Sequence, residues 1–75
     1  MSRFPSITDK EFIKKIRKIN FIFYRQAKGS HEIWINLIDS RIVVIVRHSN
    51  KNIKRRTLKE ILKSINISID EFNKL

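Results

Sequence analysis

The chain has no cysteine and only one glycine and one proline in 75 residues. Without cysteine there are no disulfides, thiolate metal sites, cysteine nucleophiles or iron–sulfur clusters, and a domain that needs no such staples is expected in the cytoplasm. The scarcity of breakers, with 41% hydrophobic residues, argues against a disordered tail and for one folded unit over residues 1–75. A domain this small has no room for a deep enclosed site, so its function is expected on its surface. No run approaches the roughly 18 consecutive apolar residues of a membrane span, and the polar start Met1-Ser2-Arg3 lacks a signal-peptide core, so no membrane role is expected. Acidic residues are scarce too: seven against 17 lysines and arginines leave a formal charge of +10. A polyanion is the expected partner, nucleic acid ahead of an anionic membrane or an acidic protein.

What is present reads as alternating element signals. Thr8-Asp9-Lys10-Glu11 has the capping-box pattern, and Phe12, Ile13, Ile16 and Ile19 follow at helical spacing among Lys10, Lys14, Lys15, Arg17 and Lys18. Asn20 can adopt a left-handed conformation and stop that helix. Phe21-Ile22-Phe23-Tyr24-Arg25-Gln26 reads as a first strand, closed by the turn Ala27-Lys28-Gly29-Ser30. Residues 31–37 and 42–47 read as a hairpin turning at Asp39-Ser40. That turn pairs Leu37 with Ile42, Ile35 with Val44, Ile33 with Val46, Glu32 with Arg47 and His31 with His48. Thr57-Leu58-Lys59-Glu60 repeats the capping box before Leu58, Ile61, Leu62 and Ile65, and Ser68-Ile69-Asp70-Glu71 opens a last short helix. The expected fold is α+β, in the order α-β-β-β-α-α, with a three-stranded antiparallel sheet packed on helices. Both parities of strands two and three are apolar, Ile33, Ile35, Val44 and Val46 on one and Trp34, Val43 and Ile45 on the other. Either another protein or the C-terminal segment must cover the second face.

Few groups can do chemistry. There is no phosphate-binding glycine loop and no recognisable metal-ligand spacing, so no metal or cofactor is expected. Gly29-Ser30-His31 and Arg47-His48 remain. A histidine can take the ribose 2′-OH proton at neutral pH, and nearby cations can hold the phosphate. Gly29 allows a tight turn where a phosphate meets the Ser30 region, with His31 beside Arg25 and Lys28. Lys51, Lys54, Arg55 and Arg56 precede and enter the second long helix as a backbone-binding surface, joined by Lys59 and Lys63. The alternative is a non-catalytic basic RNA-binding module; a DNA-binding accessory protein is a further rival, though no convincing recognition helix pair is present.

These elements carry a resemblance. Pro5 and the cap Thr8-Asp9-Lys10-Glu11, then Arg25-Gln26-Ala27-Lys28-Gly29-Ser30-His31, Arg47-His48-Ser49-Asn50-Lys51, Lys54-Arg55-Arg56-Thr57-Leu58, Ile61-Leu62 and Ile69-Asp70-Glu71-Phe72 follow in order over nearly the whole chain. In this the chain resembles the HicA toxins, small messenger-RNA interferases of type II toxin–antitoxin modules. The resemblance implies a fold like the double-stranded RNA-binding domain and a metal-independent endoribonuclease with His31 as the catalytic residue. It also implies neutralisation by a HicB-type antitoxin, which would cover the second apolar face and through which oligomers can form. Arg25, Lys28, Ser30 and Arg47 would lie near the scissile phosphate, and Lys51, Lys54, Arg55 and Arg56 would track the RNA backbone, with His48 a further candidate. Asn20 and Arg56 stand where the family usually has glycine, Val46 where it often has proline, and the hairpin turn is longer and lacks the usual Pro-Asp-Gly.

Overall fold

In a computed structural model that describes residues 3–47 and 51–75, the chain follows the expected order: α1 (Asp9–Arg17), β1 (Phe21–Gln26), β2 (His31–Asn36), β3 (Ile42–Val46), α2 (Arg55–Ser64) and α3 (Ile69–Asn73). Helix α1 starts where the capping box puts it. The Glu11 N–H donates to Thr8 Oγ1 at 3.2 Å, and the Thr8 N–H donates back to the Glu11 carboxylate at 3.0 Å. The helix ends at Arg17 with Lys18 as its C-cap, and Asn20, with φ of 73°, turns the chain two residues later into the first strand. Phe12, Ile13 and Ile16 are buried and Lys14 faces water, while the half-buried Lys15 donates to the Phe72 and Leu75 carbonyls at 3.3 Å each.

The sheet is antiparallel in the order β1-β2-β3. Phe21, Trp34, Val43 and Ile45 point to its covered face and pack with Phe12, Ile16, Leu58, Leu62, Ile65 and Phe72 into one core. The Phe12 and Phe72 rings, 5.4 Å apart, join α1 to α3 inside it. The opposite face is open among the described residues: Ile22, Ile42 and Val44 are each about half exposed, while the helices pack into the core on the other side. The C-terminal segment therefore packs into the core and does not fold over the second face, as the Ser68 capping box directs α3 back toward α1.

The hairpin differs from the expected register. His31 pairs with Val46, Ile33 with Val44 and Ile35 with Ile42, so β3 slides by two residues relative to a turn at Asp39-Ser40. The cause is Asn36. Its buried side chain accepts from the Ile38 and Asp39 N–H groups at 2.8 and 3.2 Å and donates to the Ile19 carbonyl at 2.9 Å. This Asx-type turn ends β2 one residue early and closes a longer loop over 37–40, with Ser40 at φ of 63°. A slide of two preserves the face of every side chain, which is why the core assignment survives the wrong pairing. Glu32 now opposes Ile45 rather than Arg47, and His31 opposes Val46 rather than His48.

Helix α2 also begins earlier than its local signal. Lys54 is the N-cap and no side chain caps it, so Thr57-Leu58-Lys59-Glu60 lies within the helix. Tertiary anchoring overrides the capping pattern. The Ile53 N–H donates to the Ile7 carbonyl at 2.7 Å and Ile53 packs on the core, fixing the chain one residue before Lys54.

Candidate active site

Local chemistry shapes the turn between β1 and β2. Gly29 adopts φ of +65°, and a Cβ there would meet no atom of the described residues within 4 Å, so glycine is needed for its conformation and not for space. The Gln26 side-chain amide donates to the Gly29 carbonyl at 3.0 Å and to the His31 carbonyl at 2.9 Å. The Arg47 N–H holds the Ser30 carbonyl at 2.9 Å from the neighbouring strand. Sequence reasoning passed over Gln26; an amide clipping a turn several residues away leaves no periodic or motif signal.

His31 is exposed at the end of β2 on the open face. Its Nδ1 lies 3.0 Å from the Lys28 carbonyl oxygen. A carbonyl can only accept, so this hydrogen bond requires the proton on Nδ1 and leaves the Nε2 lone pair free as a base. Lys28 and Ser30, in the turn itself, are exposed beside it.

Arg25 reaches the same face through a bulge. The β1–β2 register runs from Phe23 opposite Trp34 to Arg25 opposite Ile33, leaving Tyr24 as the extra residue. Without that insertion Arg25 would oppose Glu32 on the covered face. The bulge turns Arg25 toward the side that carries His31.

Arg47 does not join this group. It lies on the covered side of the sheet, where its Nε donates to Asp9 Oδ2 at 2.6 Å and its Nη1 lies 3.3 Å from both Glu32 carboxylate oxygens. The Asp9 hydrogen bond, reinforced by Glu32, holds the Arg47 guanidinium above its ordinary pKa against the opposing effect of desolvation. Its charge is matched by two carboxylates, and it ties α1, β2 and β3 together. The structure keeps the Glu32–Arg47 attraction of the expected pairing as a diagonal contact and adds Asp9, which the sequence shows only as an acid in a first helical turn.

The basic run forms a second cluster. Lys51, Lys54, Arg55 and Arg56 are all exposed around the start of α2. Arg56 lies 3.8 Å from Glu60 in a solvent-screened pair, and Arg55 rests over the Phe4 ring at 5.6 Å. Lys51 and Lys54 line an open groove of about 480 Å³ against the outer side of β3. Val46, directly across from His31, is part of its wall, so the run continues from the histidine end of the sheet. A second groove, of about 490 Å³, lies between Lys10, Lys14 and Arg17 of α1 and the Arg47 corner. His48 lies outside the described residues, so its relation to His31 has no structural description.

The described residues hold no helix long and apolar enough to cross a membrane, and no group of three or more histidine, aspartate or glutamate side chains placed to hold a metal ion. Residues 10–67 match the family model described as HicA toxin of bacterial toxin–antitoxin. The span covers nearly all of α1, the whole sheet and α2, with every candidate site residue inside it. No curated protein matches the chain.

Proposed function

The chain belongs to the HicA toxin family of bacterial toxin–antitoxin systems, and from that premise we propose that it is a metal-independent endoribonuclease that cleaves messenger RNA with His31 as general base. The observation that carries this reading is the hydrogen bond from His31 Nδ1 to the Lys28 carbonyl, which presents Nε2 as an acceptor on an exposed, cationic edge. In the proposed reaction Nε2 takes the proton of a ribose 2′-OH. The 2′ oxygen attacks the adjacent phosphorus, the bond to the 5′ oxygen breaks, and that oxygen collects a proton from solvent. The products are a 2′,3′-cyclic phosphate and a 5′-OH end. Arg25, Lys28 and Ser30 stabilise the charge on the phosphate, while Lys51, Lys54, Arg55 and Arg56 hold the flanking backbone. Arg47 supports the site through its backbone N–H and its ion pairs, not as a phosphate ligand.

A HicB-type antitoxin neutralises the toxin in this reading by covering the open face. The exposed aliphatic surface of Ile22, Ile42 and Val44 supports a protein partner there. Cleavage of essential messages in the cytoplasm then accounts for growth arrest when the toxin is free.

The test is incubation of folded wild-type and His31→Ala protein with a long messenger RNA in excess chelator. Wild-type cleavage leaving cyclic phosphate ends, with none from the variant, is expected. Products with a 5′-phosphate and a free 3′-OH overturn the mechanism. Tight binding with no cleavage by either protein favours the non-catalytic RNA-binding module.

A further inference from the structure

The two edges of the sheet are treated differently. At the β1 edge the chain carries the Tyr24 bulge and the charged Arg25, both devices that discourage another strand from pairing. The β3 edge is Ile-Val-Val-Ile-Val, with no charge, proline, glycine or bulge. The Arg47 N–H bonds to Ser30 and the Asn36 N–H to the Arg41 carbonyl, so odd positions along β3 face β2. By alternation the amides of Ile42, Val44 and Val46 face outward, and none of the described residues pairs with them through the backbone.

Of these residues, Val44 and Val46 border the groove of about 480 Å³ whose far wall includes Ile53, Thr57 and Ile61 and whose cations are Lys51 and Lys54. The side chains of the same outward residues lie on the open face, where Ile42 and Val44 are 53% and 47% exposed. A strand added here would have two unlike sides. On one it would extend the aliphatic face; on the other it would meet Lys51 and Lys54.

We propose that β3 is a strand-addition site for an extended segment of the partner protein in which aliphatic residues alternate with carboxylates. The inference rests on the reading of this chain as a toxin held by a protein antitoxin and names the part of that partner it engages. Charge complementarity selects the occupant. A second copy of this chain would bring another +10 and set Lys51 and Lys54 against their own kind. An acidic strand instead satisfies the outward backbone groups, lengthens the apolar face and neutralises the lysines. It also occupies cations assigned above to the RNA backbone, so strand addition and RNA binding exclude one another at this groove.

The experiment uses the full chain, labelled for amide exchange, titrated with a short synthetic peptide alternating valine and glutamate. Slowed exchange at Val44 and Val46 is expected. A peptide of the same sequence N-methylated at alternate amides, so that it cannot complete the ladder, is expected to bind about tenfold more weakly, as follows from losing one or two net hydrogen bonds. Val44→Pro removes an outward N–H and no bond to β2, so it should weaken the unmethylated peptide similarly. If that variant does not fold, the two peptides on the wild type still decide. Equal binding of both peptides, or no binding, overturns the proposal. Protection of the same amides by raising the protein concentration alone also overturns it, in favour of self-association. Intact His31-dependent cleavage beside a failed peptide titration would refute the strand site alone and leave the ribonuclease reading standing.

Discussion

Replacing Arg47 by alanine should destabilise the domain through Asp9. That carboxylate is almost fully buried at the first residue of α1, whereas the Arg47 side chain is 38% exposed. A hydrogen bond to a charged group is worth about 1.5–3 kcal/mol, and the Glu32 contacts at 3.3 Å add about 0.5 kcal/mol. Because water can enter the space an exposed arginine vacates, the sum is discounted to about 2 kcal/mol. For a domain this small that lowers the thermal midpoint by about 8–16 °C. Thermal denaturation followed by circular dichroism measures it. Adding Asp9→Asn to Arg47→Ala should recover part of the loss, since no charge is then left without its guanidinium. The backbone N–H to Ser30 survives either change, so the folded fraction of Arg47→Ala should still cleave RNA. A loss below about 0.5 kcal/mol would refute the reasoning, because it would place Arg47 among ordinary surface ion pairs.

Gly29→Ala should cost about 1–2 kcal/mol in urea denaturation, the backbone cost of a left-handed L-residue, since no atom of the described residues blocks the new methyl group; a much larger loss would mean a steric cause. Hydrogen bonds from the Thr8 backbone and side chain hold the Glu11 carboxyl below its ordinary value of 4.5. A depressed folded-state pKa contributes stability above the ordinary value that is lost as pH falls through the folded one. The thermal midpoint should therefore drop on acidification below about pH 4.5, and Glu11→Gln should flatten that part of the profile. Lys54→Ala should weaken RNA binding across all sequences and reduce the slope of log affinity against log salt by about 0.7 on a single strand, read by anisotropy titration.

Local signals foretold the elements better than their contacts. The Thr8 and Ser68 capping boxes, the left-handed Asn20 and the Gly29 turn are short-range devices, and each stands where its residues put it. The hairpin register and the start of α2 were misread because distant groups decide them: Asn36 reaching Ile19, and Ile7 holding Ile53. The site divides the same way. His31, Lys28 and Ser30 share a turn that the sequence displays directly. Arg25 reaches their face through a bulge that no residue of β1 announces, and Arg47 is drawn to the other side by an aspartate 38 positions away.

The surplus of positive charge bears on more than nucleic acid. With one unguarded aliphatic edge and a bare apolar face, the free chain has the surface of a protein that should associate with itself, and mutual repulsion between copies at +10 opposes this. Repulsion of that kind is a property of the solution as much as of the fold. At about 0.15 M salt it acts over only about 8 Å, and at 1 M over about 3 Å. The unpartnered protein is thus a charge-stabilised colloid whose dispersal depends on ionic strength, while an acidic partner that buries the edge makes that protection unnecessary.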